Sequence, residues 1–219
     1  MARANFENEL KQLHLRMIEM GSLVETAIEE SITAFTEKDV ERCKAIIEND
    51  RNVNDADKKI ESQCLWLIAR EQPIASDLRK ITAALKITTD MERIGDHAAD
   101  IAKLTLGIVE RNSPTDSIRI PQMAVAAIEM VRNAVTAYVN DDLDLAKCTK
   151  ASDDVVDDYF DLIKQELVDV FKNQPQNIND AIDLLLIAKY LERIGDHAVN
   201  ICRWVRFSLT GKYKKMQIF

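Results

Sequence analysis

Seven consecutive residues with acidic, basic and imidazole side chains occur twice in the chain. The sequence Glu-Arg-Ile-Gly-Asp-His-Ala fills positions 92–98 and returns unchanged at 192–198. A block of this length, repeated at a spacing of 100 positions, indicates an internal duplication. The glycine lies within the apolar spacing of a helix, where it costs about 1 kcal/mol relative to alanine. The folded protein is therefore expected to need that glycine and to carry one functional unit twice.

Each copy of the block belongs to a stripe of acidic side chains. Glu92, Asp96 and Asp100 recur every four residues, so they share one helix face at the border of the apolar face. The helix predicted before it has a second polar stripe, which interrupts its apolar face. That stripe consists of Asp50, Asn54, Asp57 and Glu61.

The two stripes are predicted to face each other across a helical hairpin. If the turn is centred near residue 73, Asp50 lies level with residue 97, beside Asp96. In the second copy, a turn near residue 175 places Asp153 and Asp157 level with residues 198 and 194. The side chains of that neighbourhood are Glu192, Asp196 and Asn200.

Facing carboxylates repel one another and resist ionisation unless a cation neutralises them. Oxygen ligands suit hard cations, so the stripes predict a divalent or trivalent metal ion: iron, zinc, manganese or magnesium. The alternative is an ordinary solvated surface, on which Arg93 and Arg193 pair with the acids. The duplication, the glycine within the helix and the second acidic stripe together favour the metal.

His97 and His197 are predicted to support the fold or the site indirectly. Each follows an acid by one residue, so it points about 100° away from the acidic stripe. The spacing also argues against a di-iron oxidase, because such bundles use Glu-x-x-His on one helix face. Here Glu92 and His97 are five positions apart.

Composition limits the class of protein. The chain has 219 residues, 47% of them hydrophobic, with only five glycines and four prolines, which favours an almost wholly helical fold with a real core. A net charge of −8 disfavours nucleic acid as the main ligand. The four cysteines form no CxxC pair and are predicted to be reduced core residues. Because no membrane span or signal peptide is recognisable, a soluble, intracellular protein is expected.

Apolar spacing predicts six long helices in two units. Polar turns are expected at 36–39, 140–142 and 173–177, a stop at Pro73, and a linker at 111–116. The fold class is therefore all-α, with two tandem antiparallel three-helix bundles. We call residues 1–112 the first repeat and residues 113–219 the second repeat.

At these motifs the chain resembles the PhoU family of phosphate-specific transport accessory proteins. The resemblance rests on residues 72–79, on residues 89–101 and on their echo at 190–201, and it extends over essentially the whole chain. It implies two bundles related by a pseudo-twofold axis and multinuclear metal clusters held by Glu/Asp-x-x-x-Asp motifs. The matching pairs are Glu92–Asp96, Asp96–Asp100 and Glu192–Asp196.

Two positions depart from the family's acidic pattern. Asn54 stands where a carboxylate would complete the motif that begins at Asp50, and Asn200 replaces the last acid of the second stripe. Both amides keep an oxygen donor but lower the local negative charge, so the two sites are expected to be unequal.

The resemblance also implies a function. It describes a negative regulator of the phosphate-starvation response, bridging the ATPase subunit of a high-affinity phosphate importer and a membrane sensor histidine kinase. A homodimer in the cytoplasm, held at the inner face of the membrane through its partners, is expected. No phosphate-cradling glycine loop or activated nucleophile points to an enzyme. The alternative is a carboxylate-bridged metalloenzyme or metal store.

The C-terminal segment is basic and aromatic. From Arg203 onward the chain has five positive charges and no acid, interleaved with aromatic residues such as Trp204 and Phe207. One interpretation is a helix end whose cations complement the helix dipole. The other is a docking surface with exposed aromatics near the membrane.

Overall fold

The computed structural model describes residues 2–111, 119–173, 177–213 and 216–217. Its helices and strands are α1 (Ala2–Glu37), α2 (Val40–Glu71), α3 (Ala75–Glu110), α4 (Ile120–Val139), α5 (Leu143–Ala151), α6 (Asp153–Asn173), α7 (Ile178–Thr210), β1 (Lys212–Tyr213) and β2 (Met216–Gln217). The two short strands pair antiparallel with each other. The all-α prediction is confirmed.

Most predicted helix ends are found where the local chemistry placed them. Asp39 and Asp142 accept hydrogen bonds from backbone N–H groups of the first turns of α2 and α5, as N-cap residues do. Gln72 adopts a left-handed conformation directly before Pro73, and α2 ends there. The predicted linker lies almost wholly outside the described residues, so the boundary between the repeats stays a prediction.

The fifth predicted helix is divided into α5 and α6 at Ser152. The hydroxyl of Ser152 donates to the carbonyl of Cys148, and its own carbonyl accepts from the N–H of Val155. Such serine back-bonding competes with the regular helical pattern and bends helices. The corresponding helix of the first repeat, α2, is continuous.

The helices form two bundles that pack on each other. Helices α1, α2 and α3 contact one another in the first repeat, and α4, α5, α6 and α7 do so in the second. Between the repeats, α3 packs against α7 and α1 against α4. Each of these pairs joins an element to its counterpart in the other repeat, as a pseudo-twofold axis requires.

Two sequence-based expectations need correction. Cys148 is exposed, so only Cys43, Cys64 and Cys202 are the buried free thiols that were predicted. The described aromatics after Arg203 do not form an exposed surface: Phe207 is buried, and Trp204 lies between Phe207 and Tyr213, with ring centroids 4.2 Å apart in the Trp204–Tyr213 stack. Burial of apolar rings against the core outweighs their exposure for docking. The lysines at 214 and 215 lie outside the described residues.

Within the described ranges, no helix is both long enough and apolar enough to cross a bilayer.

Candidate metal centre

The first acidic site lies between α2 and α3. It contains Asp50, Asn54, Asp57, Glu92, Asp96 and Asp100. The predicted juxtaposition is present, because Asp50 is close enough to feel the charges of Asp96 and Asp100, and Glu92 those of Asp57 and Asp50. Burial, followed by the neighbouring carboxylates, raises the pKa of both Asp50 and Glu92 above the ordinary range.

An amide relieves part of the repulsion in the first acidic site. The Nδ2 of Asn54 donates a 2.9 Å hydrogen bond to Oδ2 of Asp50, which lowers the pKa of Asp50 and opposes the effect of burial. The other oxygen of Asp50, Oδ1, is buried and has no hydrogen-bond donor among the described residues. An uncompensated buried carboxylate oxygen is costly, and a cation bound at this site would compensate it.

The second acidic site lies between α6 and α7. It contains Asp153, Asp157, Glu192 and Asp196. Burial and the charges of Asp157 and Asp196 raise the pKa of Asp153 to about 6. Burial and the charges of Glu192 and Asp196 raise the pKa of Asp157 as well. The second repeat therefore brings its carboxylates together at the level that the register predicts.

Asn200 is placed differently from the acids of its stripe. Its Oδ1 accepts a 2.6 Å hydrogen bond from Arg203, and its Nδ2 donates to Asp90 of the first repeat at 3.4 Å. Its amide is therefore occupied at the contact between the repeats, while Asn54 contacts an acid of its own site. The two departures from the family pattern thus have different structural surroundings.

Cationic side chains border both acidic sites. Arg93 lies 3.1 Å from Asp96, and Arg193 lies 3.2 Å from Asp196. Lys103 lies 2.8 Å from Asp100, and Lys189 lies 2.5 Å from Glu192. The Lys189 ammonium is thus close to Oε2 of Glu192, although that oxygen accepts no hydrogen bond of good geometry. The pairing of arginines with acids, which the solvated-surface interpretation predicts, is therefore present in both acidic sites.

In the part of the chain that the structure describes, no three His, Cys, Asp or Glu side chains are arranged to hold one metal ion. The raised pKa values nevertheless place several carboxylates within electrostatic reach of one another. These two observations agree because Asp96 pairs with Arg93, and Asp196 with Arg193, instead of gathering with the carboxylates of the facing helix. A bound cation would draw the same side chains inward, since it supplies the charge that the arginines now supply.

The repeated glycines allow close packing, but to different degrees. A Cβ atom at Gly95 would lie 2.9 Å from Cγ1 of Val53, which is too close for any real side chain. At Gly195 the nearest atoms would be Oδ1 of Asp153 at 3.4 Å and Cγ1 of Val156 at 3.5 Å, which are ordinary contacts. Gly95 is therefore required for close helix packing, while the helices at Gly195 leave room for a methyl group.

The two histidines lie at the contact between the repeats, away from the acidic stripes. The rings of His97 and His197 are 5.5 Å apart, and His97 stacks on Tyr190 at 5.2 Å. The Nδ1 of His197 is 2.8 Å from Oδ1 of the buried Asp90. The Nδ1 of His97 is buried without a hydrogen-bond partner among the described residues. A structural role outside the acidic stripe, as predicted, is what this geometry supports.

Asp90 is the residue at this contact that the sequence reasoning missed. It is 9% exposed and receives hydrogen bonds from His197 and Asn200 of the other repeat. A signal was available, because Asp90 precedes His97 by seven residues and so lies on the same helix face. Its counterpart 100 positions later is Tyr190, so the two repeats supply different groups to one contact.

Comparison with known proteins identifies the family of both repeats. Residues 17–105 and 120–205 each match the PhoU domain. A protein of Clostridium acetobutylicum, named phosphate-specific transport system accessory protein PhoU homolog, is 36% identical over 97% of both chains. A protein of Rhizobium meliloti with the same name is 31% identical over 94% of this chain and 87% of its own.

Solved structures show the same architecture. The crystal structure of PhoU from Pseudomonas aeruginosa superposes with a TM-score of 0.91 at 31% identity, over 94% of this chain and all of that one. The phosphate transport system regulatory protein PhoU from Streptococcus pneumoniae gives 0.89 at 28% identity, over 96% of this chain and all of that one. With its duplicated motif, its two bundles and these relatives, the chain belongs to the PhoU family.

Proposed function

We propose that the protein is a metal-binding regulatory adaptor of a phosphate-specific transport system, which represses the phosphate-starvation response when phosphate is plentiful. The observation that carries the proposal is the duplicated acidic site. In both repeats, partly buried carboxylates face each other across adjacent helices, and their pKa values are raised by burial and by one another.

Metal binding follows from the donors of these sites. Asp50, Asp96 and Asp100 in the first repeat, and Asp153 and Asp196 in the second, offer carboxylate oxygens to a hard cation. The buried, unbonded Oδ1 of Asp50 supports this assignment. Iron, zinc, manganese and magnesium all accept such oxygen ligands. The bound ion would remove the repulsion and stabilise the packing of α2 on α3 and of α6 on α7.

The partners in this proposal are the ATPase subunit of the phosphate importer and the sensor histidine kinase. Support comes from relatives over nearly the full chain that are named accessory proteins of phosphate-specific transport systems. Contact with these partners would hold the adaptor at the inner face of the membrane. A homodimer is part of the same proposal.

The proposal is tested with a reporter gene under a phosphate-starvation promoter. Its expression is measured in cells grown in phosphate-rich medium. A strain that lacks the protein should express the reporter, and wild-type protein should silence it. The double variant Asp96→Asn/Asp196→Asn should lose most of its metal and of its repression, because each substitution weakens one site.

A matched control is Glu41→Gln/Asp161→Asn, which changes two acids that pair with lysines on exposed helix faces. It should repress like the wild type. Full repression by the metal-depleted double variant would remove metal from the mechanism, and failure of the wild-type protein to repress would contradict the regulatory role itself. If the ATPase subunit does not co-purify with affinity-tagged wild-type protein, the partner assignment is contradicted.

A further inference from the structure

A cationic cavity lies between α5 and α7 of the second repeat. Its volume is about 700 Å³, and two pairs of basic residues line it. Lys147 and Lys150 come from α5, and Arg203 and Arg206 come from α7. Residues three positions apart share a helix face, so each helix presents two cations to the same opening. The apolar part of the lining is formed by Leu143, Ala146, Ala151 and Cys202.

The positive charge of this cavity is only partly balanced. Lys147 pairs with the exposed Asp144 at 2.8 Å, and Arg203 donates to the neutral amide of Asn200. Within the described part of the chain, the side chains of Lys150 and Arg206 have no ion-pair partner. The chain as a whole has a net charge of −8, so a cluster of four cations is unusual for its surface.

The first repeat shows that the shared fold does not require a cation at two of these positions, those of Lys150 and Arg206, although it keeps Lys44 and Lys103 at the other two. The N-cap residues of α2 and α5 are 103 positions apart, so Lys150 corresponds to Ile47. By the 100-residue spacing of the duplicated block, Arg206 corresponds to Leu106. In the first repeat, Ile47 and Leu106 cover an apolar cluster. The cluster is made of Ala34, Cys43, Ile46 and Ala102, with Ile47 and Leu106 packed against it.

We propose that the cavity of the second repeat binds an organic polyphosphate of the nucleoside di- or triphosphate class. Guanidinium and ammonium groups form charge-assisted hydrogen bonds with phosphate oxygens, and four of them suit more than one phosphate group. Ala146 and Cys202 are buried and form an apolar floor for a ring. The volume lies within the roughly 300–1,000 Å³ range of small-molecule sites. A single orthophosphate would leave the apolar floor uncovered.

This proposal goes beyond the regulatory function and is independent of metal. None of the residues that line the cavity is a predicted metal ligand. Arg203 links the cavity to the second acidic site, through its hydrogen bond to Asn200 and through its charge, which acts on Asp153. Binding can therefore be measured on chelator-treated protein, and its failure would leave the metal proposal intact.

Isothermal titration calorimetry with ATP, adenosine, tripolyphosphate and orthophosphate tests the proposal, using full-length protein in buffer with EDTA. The informative variant is Lys150→Ile/Arg206→Leu, which gives the second repeat the residues of the first. The charge-matched control is Lys44→Ala/Lys86→Ala, since both lysines are exposed on the first repeat. Melting curves followed by circular dichroism verify that each variant folds.

We expect one ATP per chain in the wild type and in the control variant. The Lys150→Ile/Arg206→Leu variant should bind ATP at least tenfold more weakly, because charged hydrogen bonds are lost. Adenosine, tripolyphosphate and orthophosphate should each bind the wild type at least tenfold more weakly than ATP. If the double variant does not fold, Arg206→Gln, at an exposed position, should still weaken ATP binding several-fold.

Three results would overturn the proposal. The wild type would show no saturable binding of ATP, or ATP would bind the cavity variant and the control variant equally well. Alternatively, tripolyphosphate would bind as tightly as ATP, which would show that no ring is seated on the apolar floor.

Discussion

The first repeat packs its acidic helices tightly and relieves part of the repulsion between their carboxylates. The second repeat packs its acidic helices more loosely and has no such amide between its carboxylates. A Cβ at Gly95 would approach Val53 to 2.9 Å, and the equivalent approach of Gly195 to Val156 is 3.5 Å. Asn54 donates to Asp50 in the first repeat, while the second repeat has the like-charged Asp157 beside Asp153. Duplicated sequence has thus produced two sites with different energetics.

A repeated motif can thus be retained while its structural surroundings diverge. The seven-residue block is identical in both repeats, so the inequality comes from the helix that packs against it. In the second repeat that helix is broken at Ser152, directly before Asp153. Under the proposed metal binding, a cation would therefore stabilise the second site more than the first.

The largest expected contrast lies at the contact between the repeats. His197→Ala should destabilise the protein by about 3 kcal/mol, because it removes the main hydrogen-bond partner of the buried Asp90. His97→Ala should cost only about 1 kcal/mol, mainly through lost ring stacking on Tyr190. Urea unfolding of both variants measures the contrast. Equal losses would show that the two histidines have equivalent roles.

The next contrast concerns the two glycines. Gly95→Ala should lower the free energy of unfolding by about 1 to 3 kcal/mol, because its Cβ would overlap the stiff, β-branched Val53. Gly195→Ala should raise it by up to about 1 kcal/mol, because alanine is the better helix former and has room there. Both values come from chemical denaturation at neutral pH. Destabilisation of Gly195→Ala to the same extent would mean that the two repeats pack alike.

A smaller contrast is expected for the facing carboxylates in metal-free protein. Asp153→Asn should stabilise the apo protein at pH 7 by about 1 kcal/mol, after the effect of its raised pKa is reduced for solvent screening. Asp50→Asn should stabilise it less, since Asn54 already relieves Asp50. Thermal melts in EDTA compare the two variants. A destabilised Asp153→Asn variant would show that the repulsion assigned to this carboxylate is absent.

The smallest expected effect is that the stabilisation of the apo protein by Asp153→Asn depends on pH. The pKa of Asp153 is about 6 in the folded protein and about 4 in an unfolded chain, so the folded state holds the extra proton between these values. The contribution of Asp153 to stability therefore decreases as the pH rises from about 4 to about 6, and is constant above. The stability difference between Asp153→Asn and wild type should grow over this interval. A difference that is constant from pH 4 to 7 would contradict the raised pKa.

Much of the fold was predictable because the apolar spacing and the stop signals agree with each other. Pro73 and the Asp39 and Asp142 caps fixed the helix ends that the structure has. The break at Ser152 was not predictable, because a serine that bonds back to its own helix has the same sequence signal as a solvent-exposed one. The facing carboxylates followed from register, since turn position and helix rise determine which residues lie level.

Other features of the site depend on packing that no local pattern encodes. The contact of His197 with Asp90 joins residues of different repeats, 107 positions apart. The hydrogen bond from Asn200 to Asp90 depends on the same contact. The cationic cavity became visible only when α5 and α7 were placed together, because in the sequence Lys150 looks like an ordinary surface residue and Arg206 belongs to a basic segment far from it.

Native mass spectrometry of protein purified without chelator measures whether the two acidic sites hold metal. The account predicts that wild-type protein carries metal ions in two separable sets, that Asp96→Asn loses one set, that Asp196→Asn loses the other, and that EDTA removes both. The set held by the second acidic site should be the one whose removal lowers the melting temperature more. Wild-type protein without bound metal, or single variants that both keep the full complement, would contradict the account.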